Sequence, residues 1–323
     1  MDYLQKCFLL KLIFLGGLPT WGIVGLPDTS VKESKERIKS AIKNTGLRLE
    51  SRRIIINLSP ADTKKEGAIY DLPMAIGILL ANGDIENINL EDTILIGELS
   101  LSGKVNRING AFPIALEAEK IGMKRIILPK ENAKEASIVQ NIEVIGVESL
   151  KEVIEYLTKK KNIARERNEI NNIFNNNSKY NVDFKDIKGQ ENVKRALEVA
   201  AAGGHNVLLV RTSSVLGKTF SAKCLPSILP DLELEESLEI TKIHSVAGLI
   251  SENMSLITKR PFRAPHHTIS SASLVRTEEI YQSPGEISLS HGGVLFLDEL
   301  TEFSKYTLEL LRGPLEDRNN KYK

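Results

Sequence analysis

Two short segments constrain this chain more than any other: Val294-Leu295-Phe296-Leu297-Asp298-Glu299 and Gly217-Lys218-Thr219. The first is an apolar run that carries two carboxylates at its C-terminal end. The second follows the apolar stretch Val207-Leu208-Leu209-Val210, which reads as a buried strand, and opens a helix from Lys218. A strand, a loop ending in Gly-Lys-Thr and a helix are the context in which backbone N–H groups cradle phosphate. Taken alone, Gly-Lys-Thr arises by chance on the order of once in ten chains of this length. Paired with a carboxylate-tipped strand, it points to a sheet with a nucleotide-phosphate site at its edge.

Four residues match the roles such a site needs. Lys218 neutralises phosphate charge, Thr219 and Asp298 are placed to hold Mg²⁺, and Glu299 is placed to polarise an attacking water. Gly217, Lys218, Thr219 and Asp298 are therefore the nucleotide-binding candidates, Thr219 and Asp298 the metal ligands, and Glu299 the catalytic acid. ATP with Mg²⁺ is the expected cofactor pair. The loop itself departs from G-x-x-x-x-G-K-[ST], reading Thr212-Ser213-Ser214-Val215-Leu216-Gly217-Lys218-Thr219 without the leading glycine. Side chains at positions that need φ > 0 cost roughly 1–3 kcal/mol each, with β-branched Val215 the worst case. Weak nucleotide binding and impaired hydrolysis are the expectation.

A chain of 323 residues accommodates two domains, and its 41% hydrophobic and 26% charged composition suits a globular protein. The net charge of +1 gives no global attraction to nucleic acid, so any basic surface must be local. Two distant cysteines, Cys7 and Cys224, make no disulfide framework and suit a reducing, cytoplasmic setting. The run Cys7–Leu15 has the apolarity of a signal-peptide core, but Lys11 interrupts it and no cleavage motif follows, so a buried strand is the better reading. No other run is long and apolar enough to cross a bilayer.

Residues 1–158 read as one α+β domain. Its elements are a helix opened by Asp28-Thr29-Ser30 with a Ser30/Glu33 capping box, a strand Arg53–Leu58 and a buried helix from Asp71. Strands at Ile94–Ile96 and Glu98–Leu101 follow, then a helix Pro113–Ile121, strands Arg125–Leu128 and Ile142–Ile145, and a helix Leu150–Leu157. Residues 159–181 are a polar linker, and 182–323 form a second, α/β domain with helices Asn192–Ala202 and Leu234–Val246.

Longer motifs carry a resemblance. They are Gly25-Leu26-Pro27-Asp28-Thr29-Ser30-Val31-Lys32-Glu33-Ser34, Gly97-Glu98-Leu99-Ser100-Leu101-Ser102-Gly103 and Ala200-Ala201-Ala202-Gly203-Gly204-His205-Asn206. Arg260-Pro261-Phe262-Arg263-Ala264-Pro265-His266-His267-Thr268 and Gly285-Glu286-Ile287-Ser288-Leu289-Ser290-His291 continue the series. In this order they resemble the Mg-chelatase-like AAA+ ATPases of the ComM/YifB type. The resemblance implies a Lon-protease-like (ribosomal S5 domain 2-like) N-terminal domain followed by a P-loop AAA+ domain. It also implies hexameric rings and DNA processing, as a helicase or branch-migration motor in natural transformation. By the same resemblance the chain stops short of sensor 1, the arginine finger and the helical lid. It would also lack the strand that separates Val207–Val210 from Val294–Leu297.

The resemblance places Ile69 and Phe112 where a Lon-type peptidase has its serine and lysine, and neither can attack a carbonyl or accept a proton. Peptidase activity is therefore not expected. Arg260, Arg263, His266 and His267 are the candidate DNA or pore contacts, with a plain structural hairpin as the equal alternative. The competing functional readings are a non-enzymatic oligomerisation or binding module and a metal-chelatase motor subunit.

Overall fold

A computed structural model describes residues 9–15, 18, 20–49, 52–61, 64–86, 88–168, 180–210, 217–275 and 284–317. The chain divides into two compact units, Asp2–Asn168 with Gly248–Ser255, and Glu169–Ala247 with Leu256–Lys323.

The first unit begins with β1 (Leu9–Leu15), β2 (Trp21–Val24), α1 (Thr29–Asn44) and β3 (Arg53–Ser59). β3 is the central strand, antiparallel to β1 and parallel to β2. Period-two alternation explains the N-terminal run: Leu10, Leu12 and Phe14 pack on the core, while Lys11 and Ile13 face outward. Lys11 thus falls on the wet face of a strand and does not interrupt it. α1 buries Val31, Ile38, Ala41 and Ile42, the expected stripe. Its cap differs from the expected Ser30/Glu33 box. Asp28 is the N-cap, and its carboxylate accepts N–H bonds from Val31 at 2.7 Å and from Gly67 at 3.0 Å. One carboxylate serving two donors leaves the hydroxyl two residues later with no capping task.

The chain continues through α2 (Asp71–Asn82), β4 (Thr93–Leu95), β5 (Glu98–Leu99), β6 (Val105–Asn106), α3 (Ala111–Lys120), β7 (Arg125–Pro129), α4 (Lys130–Ala136), β8 (Glu143–Val147) and α5 (Leu150–Leu157). β4, β7 and β8 form a parallel sheet, and β5 and β6 a separate hairpin turning at Gly103, whose φ is +86°. α2 is buried nearly all round, as its sequence requires, through Leu72, Met74, Ala75, Ile76, Ile78 and Leu79. At its start the wholly buried Asp71 carboxylate accepts from Arg37 Nε at 2.6 Å, Arg37 Nη2 at 3.0 Å and the Leu99 N–H at 3.2 Å. This ties α1, α2 and β5 through a single charge.

The second unit contains α6 (Glu191–Gly203), α7 (Lys218–Cys224), α8 (Leu234–Val246), β9 (Phe262–Arg263), α9 (Ser271–Val275), α10 (Glu286–Leu289), β10 (Val294–Leu295), α11 (Lys305–Leu310) and α12 (Arg312–Asp317). α6 stops at Gly204, in the left-handed region at φ +60°. β9 and β10 pair in parallel as a two-stranded sheet. Apolar clusters are small, one around Phe184, Ile187, Leu197 and Cys224, another around Leu274, Val275 and Leu311.

Val207–Val210 corrects the expectation of a buried strand. The segment takes no regular structure, and Leu208 and Val210 are 71% and 80% exposed. An apolar run becomes a strand only when a neighbour accepts its backbone hydrogen bonds. Among the described residues none does. The carboxylate-tipped strand is likewise shorter than expected, its ladder covering Val294–Leu295, with the Phe296 N–H still donating to Arg263 O at 2.8 Å.

Candidate nucleotide site

Gly217 and Lys218 set the entrance to α7. Gly217 has φ +157° and ψ −24°, a conformation open to glycine, and a Cβ there would lie 3.0 Å from the Gln190 amide nitrogen. Gln190 itself stands in the left-handed region at φ +58° as the residue before α6. Sequence reasoning did not single it out, because nothing in its spacing links it to Gly217. Thr212–Leu216, which carry the loop's departures, lie outside the described residues, as do Arg276–Tyr281.

Thr219 and Asp298 stand 79 residues apart in sequence, yet the Thr219 hydroxyl donates to Asp298 Oδ2 at 3.0 Å. Asp298 Oδ1 accepts the Glu299 N–H, also at 3.0 Å. Two oxygens about 3 Å apart fit adjacent corners of an octahedron with metal–oxygen distances of ~2.1 Å, the Mg²⁺ preference. Among the described residues no three His, Cys, Asp or Glu side chains cluster as a protein-only metal cage. The pair suits Mg²⁺ that is held largely by phosphate and water. Glu299 follows at φ +51°, with its side chain well exposed.

The basic segment divides into two halves. Arg260, whose side chain is 11% exposed, donates from its guanidinium to Pro230 O at 2.6 Å, Gly292 O at 2.7 Å and Glu236 Oε2 at 3.1 Å. Arg263 makes a two-pronged pair with Glu286, both contacts at 2.6 Å. These arginines fasten β9 to its surroundings, so the geometry gives them internal work in place of free charge for DNA. The His266 and His267 rings lie 4.1 Å apart between centroids, tilted by 34°, and His267 Nδ1 lies 3.4 Å from Glu299 Oε2.

In the first unit, Ile69 sits in a short 3₁₀ turn, Ala68–Tyr70, and its carbonyl accepts the Gly97 N–H. Phe112 is buried on α3.

The model of subunit ChlI of Mg-chelatase matches residues 11–132, and that of magnesium chelatase, subunit ChlI, matches residues 183–321. YifB of Escherichia coli strain K12 is 42% identical over 300 residues, 93% of this chain and 58% of YifB. Competence protein ComM of Haemophilus influenzae is 39% identical over 303 residues, with the same coverage of 93% and 58%. The chain belongs to the ComM/YifB Mg-chelatase-like family. It spans about three-fifths of the length of the curated relatives it matches. A shorter match, 31% identical over 126 residues, relates 38% of the chain to 22% of Lon protease 2 of Bacillus subtilis. For this family member, no helix among the described residues is long and apolar enough to cross a membrane.

Proposed function

We propose that the chain is an Mg²⁺-dependent ATP-binding AAA+ component with weak intrinsic turnover. The observation that carries this reading is the 3.0 Å contact between the Thr219 hydroxyl and Asp298. It brings the residue after the phosphate-loop lysine to the carboxylate-tipped strand, as a shared Mg²⁺ would require. Lys218, at the first position of α7, supplies the phosphate charge, and bound ATP with Mg²⁺ would be held by Gly217, Lys218, Thr219 and Asp298. The altered loop sequence supports a low affinity, because backbone N–H groups converge on phosphate best when glycines free their φ angles.

DNA processing, a ring of like subunits and a cytoplasmic setting are part of the same proposal, supported by membership of the ComM/YifB family. So are the division at residues 159–181 and a Lon-like first domain without peptidase action. The rival reading, a non-enzymatic binding module, draws support from the exposed apolar segment Val207–Val210.

Titration with a fluorescent ATP analogue and Mg²⁺ tests the proposal. Saturable binding should weaken at least tenfold in Lys218→Ala and in Asp298→Asn. Binding unaffected by either change, or by EDTA, refutes the site.

A further inference from the structure

The chain between α8 and β9 does not group with its neighbours in sequence. Gly248–Ser255 belongs to the first unit, while Ala247 and Leu256 belong to the second. Ser251 to Met254 form a turn, the Met254 N–H donating to Ser251 O at 2.9 Å, with Glu252 and Asn253 at its tip. Lys134 Nζ of α4 donates to Asn253 Oδ1 at 3.2 Å, and Arg107 Nη2, just after β6, donates to Ile250 O. Ile250 is 1% exposed, whereas Leu249 and Met254 remain exposed. Gly248, at φ +72°, comes so close to the first unit that a Cβ on it would lie 2.5 Å from Asn109 Oδ1. We infer that Gly248–Ser255 is a releasable latch, a peptide of the chain's own that docks on the first unit through one aliphatic anchor and a polar turn.

Two effects hold the latch and one opposes it. Burying Ile250 removes an aliphatic side chain from water, which supplies attraction without direction. Charge supplies the direction. Lys130 and Lys134, four residues apart on α4, share a helix face, and Lys134 reaches the Glu252–Asn253 tip. Lys130, held above the ordinary lysine range chiefly by its bond to Glu148, also feels the Glu252 carboxylate. Arg107 works the other way. Its Nε is buried and meets no acceptor among the described residues, so the docked state sets a dehydrated guanidinium N–H against the carbonyl that Nη2 gains. That N–H regains water when the peptide lifts, which keeps the hold shallow enough to open locally. Docked, the segment fixes the chain as it leaves α8; lifted, it becomes free length ahead of Arg260 and β9. The inference goes beyond the nucleotide reading and stands whether or not ATP binds.

The test is limited proteolysis of the full chain with glutamyl endopeptidase, following cleavage after Glu252 by mass spectrometry. A synthetic peptide of residues 244–259, in which Glu252 is the sole acidic residue, sets the undocked rate. Docking should slow cleavage at least about tenfold relative to that peptide, because the protease cuts the opened state. Arg107→Ala and Ile250→Ser should each raise the rate about fivefold or more, with Trp21 fluorescence showing the first unit still folded. Ile250→Ser alters the latch alone, and so decides the matter where Arg107→Ala fails to fold. Lys134→Glu should also speed cleavage, and adding Asn253→Lys in that background should slow it again. Cleavage of the unaltered chain as fast as that of the peptide overturns the inference, as does a rate indifferent to Ile250→Ser. Protection that disappears on dilution would assign the docked peptide to a second copy and overturn docking within one chain.

Discussion

Replacing Arg37 by Met tests how the first unit is held together. The Asp71 carboxylate is wholly buried and accepts three hydrogen bonds, two of them from Arg37. Arg37→Met keeps the side-chain volume but leaves a buried charge with the Leu99 N–H alone. Removing one partner of a buried pair costs about 3–5 kcal/mol. The Arg37 side chain is 20% exposed, so water reaches the vacated place and the lower end, about 3 kcal/mol, is expected. At about 2–4 °C per kcal/mol for a unit of this size, the melting temperature should fall by roughly 6–12 °C. Urea unfolding followed by tryptophan fluorescence reports on this unit specifically, because the chain's single tryptophan, Trp21, packs against its core.

The pH dependence sharpens the test. Burial holds the Asp71 carboxyl above the ordinary carboxylate range even with Arg37 beside it. Losing Arg37 removes the hydrogen bonds and charge that oppose the rise. A raised folded-state pKa means the associated stability is complete below the unfolded value of about 4 and is lost as pH climbs through the folded value. The deficit of Arg37→Met should therefore be smallest near pH 4 and widen toward neutrality. Arg37→Met/Asp71→Leu, which removes both charges, should regain up to about 2 kcal/mol of the loss, the remaining ~1–3 kcal/mol being the cost of the Leu99 N–H left without an acceptor. A deficit below about 0.5 kcal/mol for the single change, where breaking such a pair should cost several, or one that does not vary with pH, refutes the clamp.

Other outcomes follow from single contacts. Gly25→Ala places a Cβ 2.0 Å from Leu58 O at φ +105°, so the β2–β3 junction must shift and stability should drop by about 2–5 kcal/mol in the same fluorescence assay. His244 is held below the ordinary histidine range by burial, against the raising effect of its contact with Leu289 O at 3.1 Å. A depressed folded-state pKa gives stability present above the unfolded value of about 6.5 and lost as pH falls through the folded one. His244→Gln should accordingly flatten the acid limb of the thermal-stability profile of the second unit. Arg260→Met should lower that unit's melting temperature while leaving the salt dependence of any DNA binding unchanged, since its guanidinium is committed to internal oxygens.

Periodicity alone determined much of the first unit. The stripe Val31, Ile38, Ala41 and Ile42, the all-round apolarity of α2 and the β-branched run at β3 each state a burial requirement that only one element type meets. Motif chemistry likewise picked Thr219 and Asp298 as partners, and their contact depends on little beyond a strand tip facing a helix start. Tertiary structure decided the rest. Whether Val207–Val210 forms a strand depends on a neighbour to pair with, and hydrophobicity carries no information about that neighbour. Whether Arg260 and Arg263 meet solvent or carbonyl and carboxylate oxygens depends on loops distant in sequence, so a basic motif could not reveal that its charge is already used.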